Sequence, residues 1–169
     1  WQGKGGDGDR RYTSWMPFNA DEFRWLLESA VAGYEPGEDE NIRFLDIGCG
    51  PGSKMLIAGD ICGLEAHGID RDAGYVAAAR SLGLHADVCD AEHYTGYGRF
   101  QVSWFNRVAR DAAIQARIEA KVWHGTAPGS VVICANLEAP PPGWFPVLEE
   151  HEARRGIWLK PGPGPAPGW

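Results

Sequence analysis

Short apolar runs alternate along this chain with stretches in which apolar residues recur at helical spacing. Five of these runs have the length of buried strands. They lie at 42–47, 66–70, 85–89, 100–106 and 130–135. The clearest helical pattern is 111–123, where Ile114, Ile118 and Val122 share one face. Strands that alternate with helices in this way predict βαβ crossovers, and therefore a parallel sheet with helices on both faces.

Three further helices are predicted, two of them from their N-cap residues and one from its position after a turn. The first begins at a capping box formed by Asn19 and Glu22. The second is expected over 54–61, directly after a glycine-rich turn. The third follows Asp72, a preferred N-cap residue, and covers the alanine-rich stretch 73–82.

The alternation stops after Asn136, where a proline-rich segment at 140–143 replaces the expected helix. Apolar residues on either side of a turn at 154–156 then predict a closing hairpin, with a helix over 145–155 as the alternative. The predicted fold is a three-layer α/β/α sandwich. Its sheet is mostly parallel, doubly wound and about seven strands wide, and it ends in an antiparallel hairpin.

The chain has 169 residues, which is enough for one ordinary core but not for two. A single domain is expected over 19–160. The glycine-rich stretch 1–18 is predicted to be a flexible arm, and the alternating Pro and Gly residues of 161–169 are predicted to be a disordered tail.

Composition narrows the choice of partners and compartment. The net charge of −7 argues against nucleic acid as the main partner, because phosphate contacts need basic clusters. No apolar run approaches the ~18 residues of a membrane span, so no membrane association is expected. The four cysteines and five histidines are scattered without the spacing of a metal site, which predicts a reducing cytoplasm and no metal.

The most informative stretch is Phe-Leu-Asp-Ile-Gly-Cys-Gly-Pro-Gly at 44–52. A buried strand runs into three glycines at alternate positions, Gly48, Gly50 and Gly52. This pattern is typical of a turn whose backbone comes close to a ligand. The helix that follows is expected to offer free N–H groups and a partial positive charge to whatever lies in the turn.

Carboxylates stand at the ends of the first three strands. Asp46 precedes the first glycine by two residues, and Asp70 and Asp90 end the second and third strands. A dinucleotide-binding turn needs a glycine where Ser53 stands, and Asp46 would repel a pyrophosphate. A carboxylate at Asp70 can instead accept both hydroxyls of a ribose. The three acids therefore indicate a nucleoside-like ligand.

These segments resemble the class I S-adenosylmethionine-dependent methyltransferase superfamily over roughly 44–136. The glycine turn is the most specific part, and Gly68-Ile-Asp70 and Asp90-Ala91 support it. The resemblance implies S-adenosylmethionine as cofactor and S-adenosylhomocysteine as product. It also implies a set of cofactor-binding residues: Asp46, Gly48, Cys49, Gly50, Pro51, Gly52, Asp70, Arg71, Asp90, Ala91 and Phe105.

Three residues are candidates for catalysis on the acceptor side. Asn106 either orients an acceptor amine or hydroxyl or bonds neighbouring backbone. Arg107 either meets an acidic acceptor or pairs with Asp111, and His93 is either a base or an ordinary loop histidine. Amino-methylating nucleic-acid enzymes of the superfamily have two prolines and an aromatic after the residue that corresponds to Asn106. That pattern is absent here.

An acceptor site is expected from residues 1–30 and 137–160, or from completion by a second subunit in a homodimer. Four aromatic residues are candidates either for its walls or for core packing: Tyr12, Trp15, Trp144 and Trp158.

The leading hypothesis is methyl transfer to a small-molecule acceptor, with protein and RNA acceptors behind it. Two alternatives belong to other classes. One is an enzyme that hydrolyses or cleaves S-adenosylmethionine, and the other is a module that binds the cofactor without turnover.

Overall fold

The computed structural model describes residues 11–13, 18–32, 34, 41–136, 140–150 and 155–162. Most of the predicted arm and tail therefore lies outside the described residues, and the division of the chain into arm, domain and tail stays a prediction. The elements are α1 (Ala20–Val31), β1 (Arg43–Ile47), α2 (Ser53–Leu56) with a π-helical continuation (Ile57–Ile61), β2 (Glu65–Asp70), α3 (Ala73–Ser81), β3 (His85–Val88), a 3₁₀ turn (Tyr97–Arg99), β4 (Val102–Asn106), α4 (Ala112–Gly125), β5 (Val131–Ala135), β6 (Phe145–Glu150) and β7 (Arg155–Leu159).

The seven strands form one sheet in the order β3-β2-β1-β4-β5-β7-β6. The strands β1 to β5 are parallel, and β7 is antiparallel to both of its neighbours. The predicted mostly parallel sheet with a C-terminal antiparallel hairpin is therefore confirmed. Because β2 and β4 flank β1 on opposite sides, the strand order reverses there, and ligands of such sheets bind beyond the carboxyl ends at this reversal.

Helices cover both faces of the sheet because their apolar stripes are buried. The Asn19 side chain accepts a hydrogen bond from the Glu22 N–H and starts α1, whose buried stripe includes Phe23. The Phe23 ring packs edge-on against Trp104 of β4, with 5.2 Å between ring centroids. On the opposite face, Ile118 of α4 belongs to a second core cluster. This is the predicted three-layer arrangement.

The helix predicted over 54–61 is present, but only its first turn is α-helical. From Ile57 onward the hydrogen bonds widen, and the Cys62 N–H donates to the Ile57 carbonyl over five residues (3.2 Å). The helix after the glycine turn is thus a single α-turn of four residues followed by a π-helical turn.

The C-terminal segment is a hairpin, so the alternative helix over 145–155 is wrong. The turn predicted at 154–156 is wrong at two of its positions, because Arg155 and Gly156 lie in β7 and pair with Ala135 and Cys134. Residues 151–154 lie outside the described ones. A Cβ at Gly156 would lie 2.5 Å from the Trp158 indole nitrogen. That glycine therefore serves close packing within a strand rather than a turn.

No helix among the described residues is long and apolar enough to cross a lipid bilayer.

Candidate functional site

Hydrogen bonds and close packing join the loops that follow β1, β2, β3 and β4 at the carboxyl edge of the sheet. The Gly48 N–H donates to the Ile69 carbonyl (2.8 Å), and the Cys89 N–H donates to the Asp70 carbonyl (2.9 Å). A Cβ at Gly48 would lie 2.8 Å from a methyl group of Val108. The loops after these four strands are therefore linked along the carboxyl edge, on both sides of the point where the strand order reverses.

The glycine turn has the strained backbone that its sequence predicts. Gly48, Gly50 and Gly52 have φ values of 78°, 54° and 90°, a region that side chains with a Cβ rarely adopt. At Gly52 a Cβ would also lie 2.4 Å from Leu84 Cδ1 and 3.2 Å from the Ala79 Cβ. Gly52 is thus required both by its conformation and by the packing of the helix behind it.

The N–H donors of this turn are all used inside the protein. Residues 48–52 carry four such groups, because Pro51 has none. Two donate to the Ile69 carbonyl, one donates to the Asp70 carboxylate and one donates to a carbonyl within the turn. An anion such as a pyrophosphate therefore finds no unused donor in residues 48–52.

The Asp70 carboxylate holds two loops together and still faces the edge of the sheet. Its Oδ2 accepts the Gly50 N–H and its Oδ1 accepts the Asp72 N–H, both at 2.8 Å. Burial raises the pKa of Asp70, and the two backbone bonds oppose that shift. A carboxylate has about four acceptor positions, so about two remain for donors such as ribose hydroxyls. The role of Asp70 toward a ribose stays a prediction.

The Asp90 carboxylate contacts a residue from the distant N-terminal segment. Its Oδ1 accepts the Glu92 N–H (2.9 Å), while its Oδ2 accepts the Tyr12 hydroxyl (3.0 Å). The guanidinium of Arg71 lies 3.6 Å from the centre of the Tyr12 ring. Ala91 is buried beside them. Tyr12 therefore belongs to the Asp70–Asp90 end of the site.

Asp46 lies beneath the turn, fully buried, on the strand face that also carries Phe44. Neither of its carboxylate oxygens accepts a hydrogen bond from a described residue. Burial is the largest cause that raises its pKa to about 6, with a smaller opposing effect from Lys54. The Lys54 side chain is 6% exposed, and its ammonium lies 4.4 Å from the centre of the Phe18 ring. No sequence pattern singles out this buried cation.

Besides Asp46, two more of the predicted cofactor-binding side chains are buried in the protein. The Cys49 thiol packs so closely on Gly68 that a Cβ there would lie 2.8 Å from its sulfur. Burial also raises the pKa of this thiol. Phe105 is 0% exposed within the core cluster on the α4 face. These two residues therefore offer a ligand almost no exposed surface, whereas Pro51 is half-buried in the turn.

Asn106, at the end of β4, is held by its neighbours. Its side-chain oxygen accepts the Arg107 N–H (2.7 Å) and the side-chain amide of Asn136 (3.1 Å). Of the two interpretations of this asparagine, bonding to adjacent backbone is observed. Asn136, which follows β5, adopts a left-handed conformation with φ of 57°. It is a residue of this edge that sequence reasoning missed.

The ion pair predicted between Arg107 and Asp111 does not form. The Asp111 carboxylate instead caps α4 by accepting two backbone N–H groups. The Arg107 guanidinium donates to the carbonyls of Ala109 (3.2 Å) and Arg110 (3.4 Å). His93 is exposed, and its backbone N–H donates to the Asp90 carbonyl. The described structure does not bring His93 to Asn106 or Arg107 by any hydrogen bond.

Two of the aromatic residues considered for an acceptor pocket lie elsewhere. Trp144 packs against Trp123, near the end of α4 and thus at the opposite edge of the sheet (5.0 Å between ring centroids). Trp158 is 9% exposed in the core. Trp15 lies outside the described residues. Within the described ranges, no group of three or more His, Cys, Asp or Glu residues could hold a metal ion.

We expect Gly52→Ala to lower the free energy of unfolding by about 2–4 kcal/mol, because it adds both conformational strain and a steric clash. Gly83→Ala is the matched control, since Gly83 has φ of 80° and nothing lies within 4 Å of the place a Cβ would take. That variant should lose only the conformational part, about 1–2 kcal/mol. Urea unfolding measures both, and equal losses would contradict the packing role of Gly52.

We expect the proton bound by Asp46 to make the free energy of unfolding fall as the pH rises from about 4 to about 6. Its pKa is about 6 in the folded protein and 3.8 for an unperturbed aspartate, so the folded state binds the extra proton between these values. The contribution is therefore greatest below about pH 4 and is lost as the pH rises to about 6, up to roughly 3 kcal/mol in total. Urea unfolding of the Asp46→Asn variant across this range should lack that slope, whereas Asp60→Asn, at an exposed acid, should keep it.

No protein-family model and no curated protein sequence matches this chain. Solved structures do match. An RNA methyltransferase from Salinibacter ruber, in complex with S-adenosylhomocysteine, is 16% identical with a TM-score of 0.67 and covers 89% of this chain and 97% of its own. A phosphoethanolamine N-methyltransferase from Haemonchus contortus is 20% identical with a TM-score of 0.56, and the match covers 70% of this chain and 30% of that one. A sugar N-methyltransferase from Streptoalloteichus is 18% identical with a TM-score of 0.55, and the match covers 82% of this chain and 57% of that one.

This chain thus spans nearly the whole of the first structure but less than a third of the second and little more than half of the third. What they share with it is the fold, a mostly parallel sheet with helices around it. The chain has the fold of the class I S-adenosylmethionine-dependent methyltransferases.

Proposed function

We propose that this chain binds S-adenosylmethionine at the carboxyl edge of its sheet and transfers the methyl group to a small-molecule acceptor. The observation that carries the proposal is the distribution of donors and acceptors at that edge. The glycine turn has no N–H group left for an anion, whereas the Asp70 and Asp90 carboxylates can accept hydrogen bonds. A nucleoside presents hydroxyl and amine donors, and it fits such an edge.

Each part of the site has a role in this proposal. Asp70 accepts the ribose hydroxyls, and Asp90 with Ala91 faces the adenine. The glycines of 48–52 let the rest of the cofactor lie directly against the backbone. The structural neighbours that were solved with S-adenosylmethionine or S-adenosylhomocysteine support the same choice of ligand.

The bound cofactor supplies a methyl group activated on a sulfonium sulfur. The chain itself contributes position: the strand ends fix the cofactor, and the Asn106–Asn136 pair lies beside them at the ends of β4 and β5. In-line displacement gains most from such positioning, and a base is needed only when the acceptor must lose a proton. The roles of Asn106, Arg107 and His93 toward an acceptor are part of the proposal.

The choice of a small-molecule acceptor rests on charge and on the loop after β4. That loop lacks the two prolines and the aromatic residue that follow the corresponding position in amino-methylating nucleic-acid enzymes. With a net charge of −7 the chain lacks the excess of basic residues that phosphate backbones require. Two of the neighbours are named for phosphoethanolamine and sugar methylation, and one is named for RNA. RNA is accordingly one arm of the test.

One incubation distinguishes the classes of function. The protein is mixed with S-adenosylmethionine alone, with a panel of small amines and alcohols, and with RNA, and the adenosine-containing products are identified by mass spectrometry. S-adenosylhomocysteine that forms only with a small acceptor supports the proposal. Formation only with RNA, or release of methylthioadenosine or adenosine without acceptor, would contradict it, as would binding with no turnover in any arm.

We expect Asp70→Ala to weaken binding of S-adenosylhomocysteine by about 10- to 100-fold, because two donor groups of the ligand lose their acceptor. Isothermal titration calorimetry measures the affinity. Asp72→Ala is the control, since Asp72 caps α3 through the Gly74 and Tyr75 N–H groups and should change affinity less than threefold. Equal affinity of the Asp70 variant and the unaltered chain would remove Asp70 from the site.

A further inference from the structure

Tyr12 makes the contacts that a nucleobase bound at this site would make. Its hydroxyl donates to the Asp90 carboxylate, which is the acceptor expected for the exocyclic amine of adenine. Its ring lies under the Arg71 guanidinium at 3.6 Å, a stacking geometry that a purine ring can also take. An aromatic ring with a donor at its far end thus occupies the adenine end of the proposed site.

The backbone of this segment is anchored on the other side of the site. Tyr12 forms an antiparallel bridge with Ala109, and the Thr13 N–H donates to the Val108 carbonyl (2.9 Å). The Arg11 carbonyl accepts the Arg110 N–H at 2.7 Å. Residues 11–13 are therefore fixed to the loop after β4, while the Tyr12 hydroxyl reaches the loop after β3. In the sheet, β1 and β2 lie between those two strands.

We propose that Tyr12 is an internal substitute for the nucleobase, which closes the site and must leave Asp90 before a nucleoside binds. This rests on the proposed function, because it assigns the displaced position to the adenine of that ligand. Asp90 exchanges one donor, a phenol, for another, an amine, so its carboxylate stays hydrogen-bonded in both states. The backbone bonds of residues 11–13 keep Tyr12 close enough to return when the ligand leaves.

The closed state lowers the apparent affinity for the ligand. Only the fraction of molecules with Tyr12 away from Asp90 can bind, so the measured dissociation constant is the intrinsic one divided by that fraction. A variant that cannot make the Tyr12–Asp90 bond has a larger open fraction. It should therefore bind more tightly, which is the opposite of what the loss of a ligand-contacting residue does.

The test is calorimetric titration of the full chain with S-adenosylhomocysteine, which binds without reacting. Tyr12→Phe keeps the ring and its stacking but removes the hydroxyl, and we expect a dissociation constant about 10- to 100-fold lower, as for the loss of one competing hydrogen bond to a charged group. Tyr12→Ala should bind at least as tightly as Tyr12→Phe. The control is Tyr34→Phe, which also loses hydroxyl bonds, to the carbonyls of Gln101 and Gly129, and which should stay within twofold of the unaltered chain.

A second measurement follows Tyr12 itself. In protein labelled with 3-fluorotyrosine, the ¹⁹F resonance of Tyr12 is assigned by its absence from Tyr12→Phe, and it should shift as the ligand saturates the protein. Thermal melts of all variants establish that each is folded.

The outcomes separate this inference from the proposed function. Binding by the unaltered chain with equal or weaker binding by Tyr12→Phe, or a Tyr12 resonance that does not move, overturns the inference alone. Absence of binding by every variant overturns the proposed function and the inference together. Tighter binding by both Tyr12 variants with a moving resonance supports both.

Discussion

The Asp70 carboxylate is the constraint on which the carboxyl edge of this sheet depends. One of its oxygens accepts the N–H of Gly50 in the loop after β1, and the other accepts the N–H of Asp72 in the loop after β2. The backbone carbonyl of the same residue accepts the Cys89 N–H from the end of β3. Three successive loops are thus positioned by one residue at the end of β2, the strand next to the one where the order reverses.

The fold could be predicted from the sequence because its signals are local. Apolar periodicity identifies the strands and helices, and three glycines at alternate positions identify the turn. Within the site, Asp70 and Asp90 could be placed because each stands at the end of a predicted strand. Their partners could not, since Tyr12 lies 78 residues from Asp90 and no local pattern connects them.

Other differences have the same origin in long-range structure. The acceptor of the Gly50 N–H lies 20 residues away, at the end of β2, so no local pattern shows that this donor of the turn is used. The sequence places Trp144 over the strand ends, but the insertion of β7 between β5 and β6 sends that segment to the opposite edge. The widened turn at Ile57–Ile61 has no sequence signal that we can identify.

The position of β7 also constrains how the protein folds. Val131–Ala135 is buried along its whole length, and on one side its hydrogen-bonding partner is β7, which ends at Leu159. Until β7 pairs with it, β5 has an unpaired apolar edge, the kind of surface that recruits strands from other molecules. Molecules in which β7 is detached, during folding or after partial unfolding, are therefore the ones most prone to aggregation.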